Sequence, residues 1–134
     1  MEHFPGKPPN LTKNQALVLG ALTNAAGPLS AYMILDLLRT DGFRAPLQVY
    51  RALDKLVEYG MVHRLESLNA FVACQHTNGE NQSMVAFTIC ENCGEVTEIS
   101  NKAFEKSLNK LAVLAGFQLK KSMIELFGRC NLCH

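Results

Sequence analysis

The chain of 134 residues has no run of eighteen or more apolar residues, which excludes a membrane-spanning helix. Its opening stretch, Met1-Glu-His-Phe-Pro-Gly-Lys-Pro-Pro-Asn10, has no apolar centre of the kind a secretion signal needs. A cytoplasmic protein is therefore expected, in a compartment where thiols stay reduced. Neither sign of charge dominates: the net charge is +1 at pH 7. That balance decides nothing about nucleic acid, because a basic face can sit within a neutral total. Internal repeats and low-complexity runs are also absent, which excludes a repeat array. Cysteine is scarce, with five in the chain, and all but Cys74 fall into two pairs.

Those pairs are Cys90-Glu-Asn-Cys93 and Cys130-Asn-Leu-Cys133, with thirty-six residues between them. Two thiolates on one tight turn can share a metal ion, and two such turns complete a tetrahedral shell of four sulfurs. A closed four-sulfur shell leaves no open coordination position, so the pattern points to structural zinc and away from catalysis. Two disulfides, or a redox CxxC with two bystanders, are the competing readings. A leftover thiol such as Cys74 is by itself most simply a small buried hydrophobe.

The first ten residues, with three prolines and a glycine, read as a flexible arm. Thr12-Lys-Asn-Gln15 has the form of a capping box and starts a helix that stops before Gly27-Pro28. Ser30 can cap a second helix, with Ala31, Ile34, Leu37 and Leu38 as its buried stripe and Tyr32, Asp36 and Arg39 opposite. Pro46 suits the first position of a third helix that reaches about Tyr59. Val49, Leu53, Leu56 and Val57 form its buried face, and Gln48, Arg51 and Lys55 its outer one. Gly60 closes it. Met61–Glu66 and Ala70–Cys74 then read as a β-hairpin joined by Ser67-Leu-Asn69. Three helices and a hairpin describe a winged helix-turn-helix, whose third helix enters the DNA major groove.

From Gln75 to Ser83 the chain is polar with one glycine, and the domain boundary belongs here. The expected division is a winged-helix domain over residues 1–75, a hinge over 76–83 and a second domain over 84–134. In the second domain Met84–Ile89 is a buried strand and Glu95–Ile99 a half-buried one. A helix from about Lys102 to Ala115 carries Leu108, Leu111 and Leu114, and the region Phe117–Phe127 is a last strand that delivers the terminal cysteines. The fold class is thus α+β. An α/β unit of about 50 residues is marginal alone, and a structural zinc site can contribute on the order of 10 kcal/mol to folding. The helix has more apolar surface than one small sheet needs, so a homodimer is expected.

The run Gln48-Val-Tyr-Arg-Ala-Leu-Asp-Lys-Leu-Val-Glu-Tyr-Gly-Met-Val-His63 resembles the recognition helix and wing of the ferric-uptake-regulator (Fur) family. The resemblance continues through Cys90-Glu-Asn-Cys-Gly-Glu-Val-Thr-Glu98 and the second CxxC. The run from Val62 to Cys74 is similar to the zinc-uptake-regulator (Zur) branch. The resemblance implies a homodimeric, zinc-responsive transcriptional repressor of zinc-uptake genes, and not an enzyme. Its first domain would bind palindromic, AT-rich operator DNA, its second would dimerise, and zinc at the hinge would orient the two DNA-binding domains. Two zinc ions per protomer are implied. Cys90, Cys93, Cys130 and Cys133 would hold the structural ion, while His63, Cys74 and Glu98 would hold the sensory one. A thiolate in the latter set favours zinc over iron(II) or manganese. Where the branch usually supplies a linker histidine, this chain has Gln82 or Ser83. His76 is therefore the candidate fourth ligand, with Gln82, Ser83 or water as competitors. The histidine-rich run of iron-responsive members is replaced by Asn81-Gln-Ser-Met.

For DNA, Arg51 is the candidate base reader, since a guanidinium can donate two bonds to guanine. Tyr32 matches a tyrosine that family members direct at the operator, and Gln48 can read a base or a phosphate. Arg44 and Lys55, with Lys13 and Arg64, suit phosphate contacts, which position without specifying. Asp36 and Arg39 either join neighbouring dimers or form an intrahelical pair. A family member sensing another divalent metal, and a zinc-stapled adaptor that binds only protein, are the alternative functions.

Overall fold

Thr12 and Gln15 cap the first helix reciprocally. The Thr12 hydroxyl accepts from the Gln15 N–H at 3.1 Å, and the Gln15 side chain accepts from the Thr12 N–H at 3.0 Å. In the computed structural model, which describes residues 10–75 and 84–133, this helix is α1, Lys13–Thr23. The expected hinge, with His76, Gln82 and Ser83, lies outside the described residues. The chain divides into two compact units, Met1–Glu80 and Asn81–His134.

Ser30 caps α2, Ala31–Leu37, by accepting from the Met33 N–H at 3.1 Å. Its buried stripe is Ala31, Ile34, Leu35 and Leu38, whereas Leu37, expected in that stripe, is 58% exposed. The reason is angular. At about 100° per residue Leu35 lies about 40° from Ala31, and Leu37 about 120°. The chain then tightens into a 3-10 turn over Arg39–Asp41, stopped by Gly42.

Pro46 is the first residue of α3, Pro46–Glu58. Ala45, at the cap position, has no side-chain acceptor, so Gln48 supplies the capping bonds from inside the helix. Its Oε1 accepts from the N–H groups of Arg44 and Ala45 at 2.6 and 3.0 Å. Val49, Ala52, Leu53 and Leu56 are buried, and Val57, expected on the same face, is half-buried. Gly60, at φ +79°, ends the helix. The Gly60 N–H donates to Val57 and the Met61 N–H to Leu56, each at 3.0 Å, a reversal that needs a left-handed residue after the cap.

The hairpin is β1, Val62–Leu65, antiparallel to β2, Ala70–Ala73, with His63 opposite Val72 and Arg64 opposite Phe71. Asn69 closes the turn at φ 48°, a conformation asparagine tolerates better than most residues. Leu29 adds a bridge that the sequence pattern does not reveal: it exchanges backbone bonds with Phe71 at 2.8 and 3.0 Å. Val18, Leu22, Ile34, Leu53, Leu56 and Val62 belong to one core shared by all three helices and the hairpin. The element order is that of a winged helix-turn-helix.

The second unit is a three-stranded sheet in the order β4-β3-β5. The central strand β3, Met84–Cys90, is antiparallel to β4, Val96–Ile99, and parallel to β5, Ser122–Gly128. The last strand was expected within Phe117–Phe127; its ladder begins only at Ser122, opposite Met84. Helix α4, Lys102–Leu114, is capped by the Asn101 side chain, which accepts from the Phe104 N–H at 2.8 Å. No residue of α4 is buried. No helix among the described residues is long and apolar enough to cross a membrane.

Candidate metal centre and recognition surface

Parallel pairing of β3 and β5 puts the C-terminal ends of both strands at one edge of the sheet. Cys90 pairs with Gly128, and the Glu91 N–H donates to the Gly128 carbonyl at 2.8 Å. Cys130 follows two residues later, and so arrives beside Cys90. Each CxxC is a turn: the Gly94 N–H donates to the Cys90 carbonyl at 2.9 Å, and the Cys133 N–H to that of Cys130 at 3.0 Å. Gly94, at φ +81°, makes the backbone reversal after Cys93 that a side chain would strain.

The four sulfurs of Cys90, Cys93, Cys130 and Cys133 all lie within 4.8 Å of one another. Sulfurs bound at about 2.3 Å to one tetrahedral ion are about 3.8 Å apart. The Cys93 and Cys130 sulfurs are 3.7 Å apart, which fits a metal shell and is far beyond the ~2.05 Å of a disulfide. All five cysteines are free thiols. Buried Cys90 receives the N–H groups of Cys93 and Cys130, each at 3.4 Å from its sulfur. The Cys93 amide, then the Cys130 amide, hold its thiol down at about 5. The Cys130 thiol is instead pushed up to about 12, first by the Cys133 sulfur beside it. Crowded thiols cannot all ionise without a cation among them. The donor set, its spacing and its electrostatics therefore suit a divalent, thiophilic metal, and a closed four-sulfur shell would give it a structural and not a catalytic part.

The other proposed ligands are distributed over both units. In the first, His63 on β1 is 9% exposed, and Cys74, half-buried, directly follows β2. The Cys74 N–H donates to the Met61 carbonyl at 2.9 Å. This bond fixes the thiol at the base of the wing, where an imidazole nitrogen of His63 and the Cys74 sulfur lie within 4.8 Å. In the second unit, Glu98 is half-buried on β4, opposite Phe87. His76 lies outside the described residues.

The outer face of α3 carries Arg51 and Lys55, both exposed, with exposed Arg44 just before the helix. Arg51 forms no ion pair or hydrogen bond among the described residues. Lys55 meets Glu58 at 3.5 Å, with both side chains more than half exposed, a pairing too solvated to hold it. Tyr32 on α2 is 62% exposed. A groove of about 570 Å³ between the start of α1 and α3 is lined by Thr12, Gln15, Gln48, Arg51 and Lys55, among others. Gln48 is less free than the sequence suggests, since its oxygen serves the helix cap and only its amide nitrogen remains to reach outward. A glutamine at the third position of a helix whose cap residue is alanine is the signal for this. Arg64 is also engaged: it donates to Asn69 at 3.1 Å, meets Glu66 at 3.8 Å and lies 5.9 Å from the Phe71 ring centroid. Asp36 on α2 and Arg39 in the 3-10 turn after it pair with each other, three residues apart, at 3.1 Å.

Comparison with known proteins fits this geometry. Residues 11–127 match the model of the Ferric uptake regulator family. The chain is 40% identical over 124 residues to the Zinc uptake regulation protein of Escherichia coli K12, covering 92% of this chain and 72% of that protein. The Ferric uptake regulation protein of Campylobacter jejuni is 29% identical over 107 residues, with 80% and 66% covered. Among solved structures, a zinc uptake regulator complexed with zinc and DNA superposes with a TM-score of 0.84 at 38% identity, over 92% of this chain and 82% of that one. Holo XcZur gives 0.81 at 39% identity, over 95% and 86%.

Proposed function

The chain belongs to the ferric uptake regulator family, and from that premise we propose that it is a zinc-responsive transcriptional repressor that binds operator DNA as a homodimer in the cytoplasm. The observation that carries this reading is the likeness, over nine-tenths of the chain, to a zinc uptake regulator complexed with zinc and DNA. An enzymatic role is not part of this reading, because the matched family and the zinc uptake relatives are regulators.

Two zinc ions per protomer would have different parts. Cys90, Cys93, Cys130 and Cys133 would hold the structural ion, with their sulfur spacing as support. His63 and Cys74 would hold the sensory ion with Glu98 and a fourth donor, for which His76 is the candidate and Gln82, Ser83 or water the competitors. Bound zinc would supply a cross-link between donors from both sides of the linker. This chain's residues do the rest. Met61 anchors the Cys74 backbone, β1 carries His63, and β4 carries Glu98. Val62, beside His63 on β1, shares a core with Leu53 and Leu56 of α3, and that packing would carry a change in wing position to α3.

Tyr32, Arg44, Gln48, Arg51 and Lys55 are the DNA-contacting residues in this reading. Arg51 would read a base, while Arg44 and Lys55 would hold phosphates. Dimerisation would cover the apolar side chains of α4: Phe104, Leu111, Val113 and Leu114 are 45 to 79% exposed, more than single scattered apolar residues explain. The test is a gel shift on AT-rich palindromic DNA with and without zinc. Binding should require zinc. Operator should tighten the sensory zinc by the same factor that zinc tightens operator, because linkage is reciprocal. In Cys74→Ser the zinc dependence should vanish while the protein stays a folded dimer with one zinc per chain. Unfolding of that variant, or unchanged zinc affinity with operator present, would overturn the two-site scheme.

A further inference from the structure

Leu47 is a side chain that its own fold does not use. It is the second residue of α3, Pro46–Glu58, and is 56% exposed. At about 100° per residue it points away from the face formed by Val49, Leu53 and Leu56, and lies about 40° from Arg51 one turn on. The exposed pole of the helix thus begins with an apolar side chain and continues with a cation.

A single exposed leucine is ordinary; the position of this one is not. Recognition helices touch base edges chiefly through their N-terminal residues. Here the N-terminal end of α3 offers Leu47 and Gln48, and the oxygen of Gln48 is taken by the N–H groups of Arg44 and Ala45. Exposed Arg44 precedes this helix and exposed Lys55 lies on its outer face, so a phosphate backbone suits the margins of this face better than an apolar protein surface does. Leucine can neither donate nor accept a hydrogen bond. The feature of the major groove that it complements is the C5 methyl group of thymine.

We propose that Leu47 is a specificity-determining residue that packs against a thymine methyl group in the major groove. The assignment rests on the reading of the chain as an operator-binding repressor. It gives α3 two unlike readers within one turn: Arg51 for a hydrogen-bonding base edge and Leu47 for a methyl.

The experiment uses the full chain loaded with zinc. An operator duplex is first selected from random DNA, and each thymine is then replaced in turn by deoxyuridine, which removes only the methyl. One position in each half-site should weaken binding about fourfold, the effect of one buried methyl group at about 0.8 kcal/mol. In Leu47→Ala that same replacement should have no further effect, and melting should be unchanged because the side chain is exposed. Undiminished sensitivity of Leu47→Ala to deoxyuridine would overturn the assignment. So would an equal loss on every duplex, or a change confined to self-association of the protein. Failure to select any zinc-dependent duplex would overturn this assignment together with the repressor reading beneath it.

Discussion

The two units hold themselves together by different means. The first packs three helices and a hairpin around an apolar core in which Val18, Ile34, Leu53, Leu56 and Val62 are fully buried. The second has a three-stranded sheet and a helix with no buried residue. Among the described residues its buried side chains all come from one strand, β3: Met84, Ala86, Phe87, Ile89 and Cys90. A domain of about 50 residues has too little interior to offset the entropy of ordering its chain. An ion held by the four cysteines would address that shortage, by tying together the ends of β3 and β5. The first unit keeps polar groups on the outer face of α3, whereas the second leaves apolar side chains of α4 exposed, as the proposed recognition and dimer surfaces require.

This contrast is most directly broken by removing metal. A strong chelator should unfold the second unit and leave the first, since a structural zinc site supplies on the order of 10 kcal/mol. Amide exchange resolved by residue should then show protection lost in 84–133 and kept in 11–74. Cys90→Ser should act the same way without chelator, because Cys90 is the buried member of the cluster and receives two amides. Equal loss in both units would mean that they fold as one.

Leu53→Ala probes the other side. It removes a fully buried side chain from the first core and should cost about 2–5 kcal/mol, seen as a lowered denaturation midpoint with the zinc content unchanged. Coincident loss of zinc would again join the two units. Arg51→Ala is the mildest. It should leave both units folded, cost roughly 1–3 kcal/mol of operator affinity and relax the base preference at one position. A uniform loss over all sequences would move Arg51 to the phosphate backbone.

Much of this was legible in the chain because it depends on local chemistry. Thr12 (boxed with Gln15), Ser30 and Pro46 each stand directly before or at the first residue of an apolar-periodic run and mark helix starts, and Gly60 marks an end. Where a local pattern was read with the wrong period, as at Leu37, the structure corrects it: three-residue spacing drifts off a face that repeats every 3.6. Other features were hidden because they join distant residues. The Leu29–Phe71 bridge spans a helix-turn-helix. The position of Arg64 over Phe71 follows from strand register, which no single strand encodes. The engagement of Gln48 was recoverable, since an alanine cap leaves the helix in need of an internal acceptor.

By itself the sequence determined which residues can bind metal and how many turns present them. Thiols with two residues between them can share an ion wherever the chain turns tightly, and two such pairs suffice for a tetrahedron. Tertiary structure decided that these turns meet. Residues 90 and 130 adjoin because β5 lies parallel to β3 with Cys90 opposite Gly128, and a parallel pair brings like ends together. An antiparallel pairing would have set the two CxxC turns at opposite ends of the sheet, about 20 Å apart for strands of seven residues, where no ion could bridge them.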